Sequence, residues 1–137
     1  MIAIYHNPDC GTSRNALRLI EASGDAYVVV DYLREGWTRA QLTGLFAAAS
    51  LTPRSALRET KSPAKELGLL AQNVSEEAIL AEMLAHPVLV NRPIVCSSKG
   101  VKLCRPSTAV IQLLSVLPSS IVTGEGGEML YDPATVA

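Results

Sequence analysis

His6-Asn7-Pro8-Asp9-Cys10-Gly11-Thr12-Ser13-Arg14-Asn15 lies between a short apolar run, Met1 to Tyr5, and a stretch from about Thr12 in which Ala16, Leu17 and Ile20 recur at helical spacing. Gly24 supplies a stop for that helix, and Ala26 to Asp31 follows as a β-branched run of the kind buried in parallel sheets. Strand, helix, strand predicts a βαβ unit, with Cys10 where the first strand gives way to the helix. A thiol at such a junction faces the free N–H groups and positive dipole end of the helix, which favour thiolate over thiol. Cys10 is therefore the candidate nucleophile, with Gly11 allowing close approach and Thr12 and Ser13 supplying cap groups.

The electrostatic requirement is modest. A free thiol with a pKa of about 8.5 is only about 3% ionised at pH 7, and lowering that pKa by ~2 units takes roughly 2.7 kcal/mol. A helix N-terminus and one nearby cation supply that much without a metal. Asp9 opposes the shift unless its carboxylate points to solvent, which is the expectation here. His6 either tunes the thiol or holds the loop. Ser13 stands where a dithiol redox motif carries its second cysteine, so no disulfide forms within the motif and another thiol must finish the chemistry.

Downstream, Thr38 and Gln41 form a capping box ahead of Leu42, Leu45, Phe46 and Ala49 at helical spacing. Ser62-Pro63 to Gly68 reads as a short helix, and Ser75 to His86 as a longer one ended by Pro87. These predict a helical insert over about 38–87, between the second and third strands. Ile94 to Ser97 and Val101 to Cys104 flank Ser98-Lys99-Gly100 and predict a β-hairpin. The last helix starts near Pro106 and places Val110, Leu113, Leu114 and Leu117 on one face before Pro118. Gly124-Glu125-Gly126-Gly127 reads as a flexible turn. The order βαβ, helices, ββα is that of an α/β, thioredoxin-like mixed sheet in a single domain over 1–137.

With 137 residues, 48% of them hydrophobic and 18% charged, the chain is sized for one domain with its own core. A formal net charge of -1 offers no broad attraction for nucleic acid or anionic membrane, so any anion site is local. No apolar stretch approaches the ~18 residues of a membrane span, and a strand beginning at Ile2 leaves no room for a secretory leader. The expected location is cytoplasmic. The 3 cysteines, Cys10, Cys96 and Cys104, show neither metal-ligand spacing nor an even disulfide framework. Adding His6 and His86 matches no closed zinc pattern, so we expect free thiols, no metal and no bound cofactor. Cys96 and Cys104 read as packing residues.

Three arginines complete the chemical signal. Arg58 closes the stretch Arg54-Ser55-Ala56-Leu57-Arg58, while Arg92 and Arg105 precede Pro93 and Pro106, which hold their backbones extended. Guanidinium forks in fixed positions suit a tetrahedral oxyanion. With the thiolate loop, they suggest a site that binds a small oxyanion and attacks it.

His6-Asn7-Pro8-x-Cys10-Gly11-Thr12-Ser13-Arg14-Asn15, Arg54-x-x-x-Arg58, His86-Pro87-x-Leu89-x-Asn91-Arg92-Pro93-Ile94-Val95 and Leu103-Cys104-Arg105-Pro106 together resemble the glutathione- and glutaredoxin-coupled arsenate reductases. The likeness runs from the first strand to the last helix and thins after about Pro118. It implies that Cys10 attacks arsenate, that Arg58, Arg92 and Arg105 hold the oxyanion and the arsenylated intermediate, and that His6 assists the thiol. It further implies glutathione as co-substrate, glutaredoxin as reductant, a helical insert in a thioredoxin-like core, and a cis peptide before Pro93. Two other functions are compatible with the residues: a redox-linked binding or regulatory protein of thioredoxin fold, and a glutathione-dependent thiol oxidoreductase without arsenate activity.

Overall fold

Strand β1 (Ile2–Tyr5) alternates in burial, with Ile2 and Ile4 buried and Ala3 and Tyr5 half-buried, as a strand with a core on one face must. The computed structural model describes residues 1–135 and divides into two units, Met1–Val30 with the chain from Arg92 onward, and Asp31–Asn91. In the first unit β1 leads into helix α1 (Gly11–Ser23), closed by Gly24 in the left-handed region at φ 81°. Strand β2 (Tyr27–Val30) then pairs parallel with β1 from Ile2↔Tyr27 to Tyr5↔Val30. β3 (Ile94–Ser97) runs antiparallel to β1, and β4 (Gly100–Leu103) antiparallel to β3, giving the order β2-β1-β3-β4. This is the expected mixed thioredoxin-like sheet.

Two expectations change. β2 is an edge strand, and Tyr27, Val28 and Val29 are exposed rather than buried. A β-branched run reports fit to a pleated surface, not which position in the sheet the strand takes. The last helix is a 3₁₀ helix, Ser107–Leu113, and Leu117 lies outside it, exposed. In a three-residue period Val110 and Leu113 stack on one face, and both are buried. The helix stops because Asp25 captures the next backbone: its Oδ2 accepts the N–H of Ser115 at 2.9 Å and of Val116 at 3.2 Å.

The core of this unit joins Ile2, Ile4, Ala16, Leu19, Ile20, Val95, Val110, Leu113 and Leu114. It also takes in Val122, Leu130 and Tyr131 from the C-terminal hairpin β5 (Val122–Thr123) and β6 (Met129–Tyr131). Leu17, expected on the buried face of α1, packs at its margin, while Leu19 is fully enclosed. Leu19→Ala should therefore cost about 2–5 kcal/mol and Leu117→Ala almost nothing, as read by urea denaturation.

The second unit opens with α2 (Tyr32–Glu35), whose Tyr32 stacks on Trp37 with ring centroids 5.0 Å apart. α3 (Arg39–Ala49) carries the complete capping box: Thr38 Oγ1 accepts the Gln41 N–H at 3.1 Å and Gln41 Oε1 accepts the Thr38 N–H at 2.8 Å. Leu42, Leu45 and Phe46 are buried, Ala49 partly. Ser62 to Gly68 is not a helix but one turn, because Gly68 at φ 75° closes it immediately. The Gly68 N–H bonds Lys65 O and the Leu69 N–H bonds Ala64 O, a Schellman closure with Ala64 and Leu69 buried beneath it. α4 (Glu76–Ala85) is capped by Ser75 and followed by a 3₁₀ turn, Pro87–Leu89. The Arg58 N–H then bonds Leu89 O at 2.8 Å and the Asn91 N–H bonds Ala56 O at 2.7 Å.

Candidate active site

Cys10 is the N-cap residue of α1, with an extended backbone and its carbonyl accepting the Arg14 N–H at 2.9 Å. The preceding turn is closed by the Cys10 N–H on Asn7 O at 3.1 Å and by the Asp9 N–H on Asn7 Oδ1 at 2.9 Å. Asn7 is itself buried, so this loop is held from inside. Asp9 is exposed, as expected.

His6 meets the first turn of α1 at Ser13. Its Nδ1 lies 2.6 Å from Ser13 Oγ, in a buried contact, and Ser13 Oγ also accepts the Asn7 N–H at 3.1 Å. Ser13 thus ties the end of β1 to the first turn of α1. Its sequence position signalled a cap group and the missing second cysteine. The bond to His6 was not legible, because seven residues of separation carry no periodicity that brings the end of a strand onto the following helix.

Of the expected arginines, Arg105 touches the sulfur of Cys10 and the Arg92 charge acts on it. Arg105 Nη1 donates to Cys10 Sγ at 3.7 Å and to the Arg92 carbonyl at 3.1 Å, so one nitrogen bridges the thiol and the neighbouring loop. Both arginines precede cis prolines, at Arg92–Pro93 and Arg105–Pro106. The resemblance implied the first of these; nothing in the sequence marked the second. Arg58 belongs to the other unit, where it is buried and its Nε donates to Thr60 O at 3.0 Å.

These neighbours decide the acidity of Cys10. Burial is the largest single influence and pushes the thiol up. Against it act the Ser13 N–H, the Arg92 charge, the Arg105 hydrogen bond and the Thr12 N–H, and together they prevail, so the thiol lies below its ordinary value. The other cysteines go the opposite way. Burial raises Cys96, and it pushes Cys104 up to about 12 despite the Lys102 charge. Iodoacetamide at pH 7 should accordingly label Cys10 first and leave Cys104 unmodified in the folded protein, as read by peptide mass mapping.

A thioredoxin-like sheet carrying a cysteine of lowered pKa at a helix N-cap, with Arg105 on the sulfur and the Arg92 charge acting on it, is chemically suited to a thiolate beside an anion. Residues 5–113 match the ArsC family, and the chain belongs to it. It is 61% identical over 132 residues to an arsenate reductase of Synechocystis, covering 96% of this chain and 94% of that protein. It is 41% identical over 133 residues to an arsenate reductase of Escherichia coli, covering 97% and 94%. Among solved structures, the arsenate reductase from Vibrio cholerae superimposes with a TM-score of 0.77 at 35% identity, covering 82% of this chain and 97% of that one. No helix among the described residues is long and apolar enough to cross a membrane.

Proposed function

We propose that this protein reduces arsenate to arsenite, with Cys10 as the nucleophile. The observation that carries the reading is the Arg105 guanidinium on Cys10 Sγ beside the Arg92 charge, in a member of a family of arsenate reductases. The Cys10 thiolate attacks arsenic and water leaves, giving a cysteine–arsenate adduct. Glutathione supplies the thiol that Ser13 does not and is oxidised as arsenic is reduced, and a glutaredoxin thiol carries it off as a mixed disulfide. The net balance is arsenate and two thiols giving arsenite, one disulfide and water, so arsenic gains the two electrons that the thiols lose. Arg92, Arg105 and Arg58 hold the oxyanion through charge-assisted bonds. His6 acts through Ser13, keeping the first turn of α1 aimed at the sulfur. The reaction needs no metal or bound cofactor, and we place the protein in the cytoplasm, where thiols stay reduced.

Phosphate fits the same arginines but accepts no electrons from thiols, so selection falls at the redox step as well as at binding. The test is arsenite production from arsenate with glutathione and glutaredoxin, with phosphate as a competitive, unconsumed inhibitor. Turnover of a glutathione mixed disulfide with no turnover of arsenate would overturn this reading in favour of a plain thiol oxidoreductase. Arg58→Ala should raise KM for arsenate while leaving Cys10 alkylation unchanged; an unchanged KM removes Arg58 from the oxyanion site.

A further inference from the structure

The C-terminal hairpin lies beyond residues 5–113, yet its tip is bound along the outer face of α1. Arg14 Nε pairs with the Glu125 carboxylate. Asn15 Nδ2 donates to Glu128 Oε1 at 3.0 Å, and Arg18 Nε donates to the Thr123 carbonyl at 3.0 Å. The tip is shaped for this approach. A Cβ on Gly124 would crowd the Glu128 carboxylate and stand 3.0 Å from Asn15 Nδ2, so a larger residue there would push the Glu128 side chain aside, and Gly127 turns the chain at φ 84°.

The same guanidinium reaches the nucleophile loop. Arg14 Nη1 donates to the Pro8 carbonyl at 2.7 Å, two residues before Cys10. Arg14 and Glu125 are 41% and 43% exposed, so their attraction is largely screened and contributes little to stability. What a planar fork with two fixed anchors does contribute is geometry. We propose that Arg14 is a positioning residue, which Glu125 of the C-terminal hairpin holds across the loop so that Pro8 to Cys10 keeps the sulfur aimed at the N-terminus of α1.

This inference rests on Cys10 as the nucleophile but not on arsenate as the substrate, and its first test needs no arsenate. The rate of Cys10 alkylation by iodoacetamide is followed against pH for the wild type, Arg14→Lys, Glu125→Ala, Glu125→Gln and the double variant Arg14→Lys/Glu125→Ala. Lysine keeps the charge but cannot reach both anchors. A through-space effect would therefore leave Arg14→Lys unchanged, and in Glu125→Ala the loss of a negative charge would move the midpoint to lower pH. A positioning role moves both midpoints to higher pH, the opposite sign for Glu125→Ala.

Glu125→Gln keeps an acceptor oxygen for Arg14 Nε and should behave as wild type, with thermal melts of each variant confirming that it folds. The double variant should be no worse than either single one, because both break the same linkage. In the arsenate assay kcat falls roughly tenfold in Arg14→Lys with KM within about twofold. An unmoved or acid-shifted alkylation midpoint in folded Arg14→Lys or Glu125→Ala overturns the proposal. So does a KM that rises more than kcat falls, which would make Arg14 a substrate ligand.

Discussion

Cys10→Ser should lower arsenite formation on the order of 10⁴-fold or more, to the uncatalysed background, while Cys104→Ala retains activity. The reason lies in what the site stabilises. Ser13 and Thr12 N–H groups, Arg92 and Arg105 favour an anion on sulfur against a burial cost that opposes it. A serine hydroxyl in the same place starts so far from ionisation that the same groups leave it protonated at neutral pH. It also has no sulfur to share in the two-electron step. Cys104 cannot substitute, since burial holds it near 12.

Phosphate affinity separates chemistry from binding here: Cys10→Ser should keep phosphate as a ligand within a few-fold while losing turnover. Residual reduction in Cys10→Ser that disappears in a Cys10→Ser/Cys104→Ala protein would move the nucleophile to Cys104. The lowered pKa also links to stability. A depressed folded pKa means the thiolate stabilises the fold fully above the ordinary thiol value, and that contribution is lost as pH falls through the lowered one.

How far the sequence carried this site depends on whether each cue was local. The junction at Cys10, the stop at Gly24 and the capping box at Thr38 are each written within a few residues, and all three stand in the structure. Cues of similar strength failed where a distant partner decides the outcome. Val28 and Val29 have the composition of a central strand, but no strand pairs on their outer side among the described residues. Leu113, Leu114 and Leu117 suggest a continuing helix, and Asp25, some ninety residues earlier in the chain, ends it by taking the Ser115 and Val116 N–H groups. The candidate site divides along the same line. Cys10 was legible from its junction, and Arg92 and Arg105 from their prolines and the family resemblance. The His6–Ser13 bond and the Arg14–Glu125 pair were not, because both join polar residues, seven and 111 positions apart, whose spacing carries no pattern of its own.

Arg105→Ala should lower kcat/KM for arsenate roughly 10- to 30-fold at pH 7, which corresponds to about 1.4–2 kcal/mol. A hydrogen bond to a charged group is worth about 1.5–3 kcal/mol. That value is reduced because Arg105 is exposed and water screens part of its field. Arg105→Lys should recover only part of the loss: it restores a positive charge, but a single ammonium cannot donate to Cys10 Sγ while also presenting a fork to an oxyanion.

The pH profile then divides the effect between its two sources. Arg105 favours the Cys10 thiolate, so its removal shifts the ionisation of Cys10 to higher pH. The deficit in Arg105→Ala should therefore be largest near neutral pH and shrink as the solution becomes alkaline enough to ionise the thiol without help. Whatever deficit survives on the alkaline plateau belongs to oxyanion binding, and it should appear in KM for arsenate and in the inhibition constant of phosphate by the same factor. A deficit independent of pH would mean that Arg105 acts on the substrate alone. One that vanishes on the plateau would mean that it acts only on the sulfur and takes no part in holding the anion.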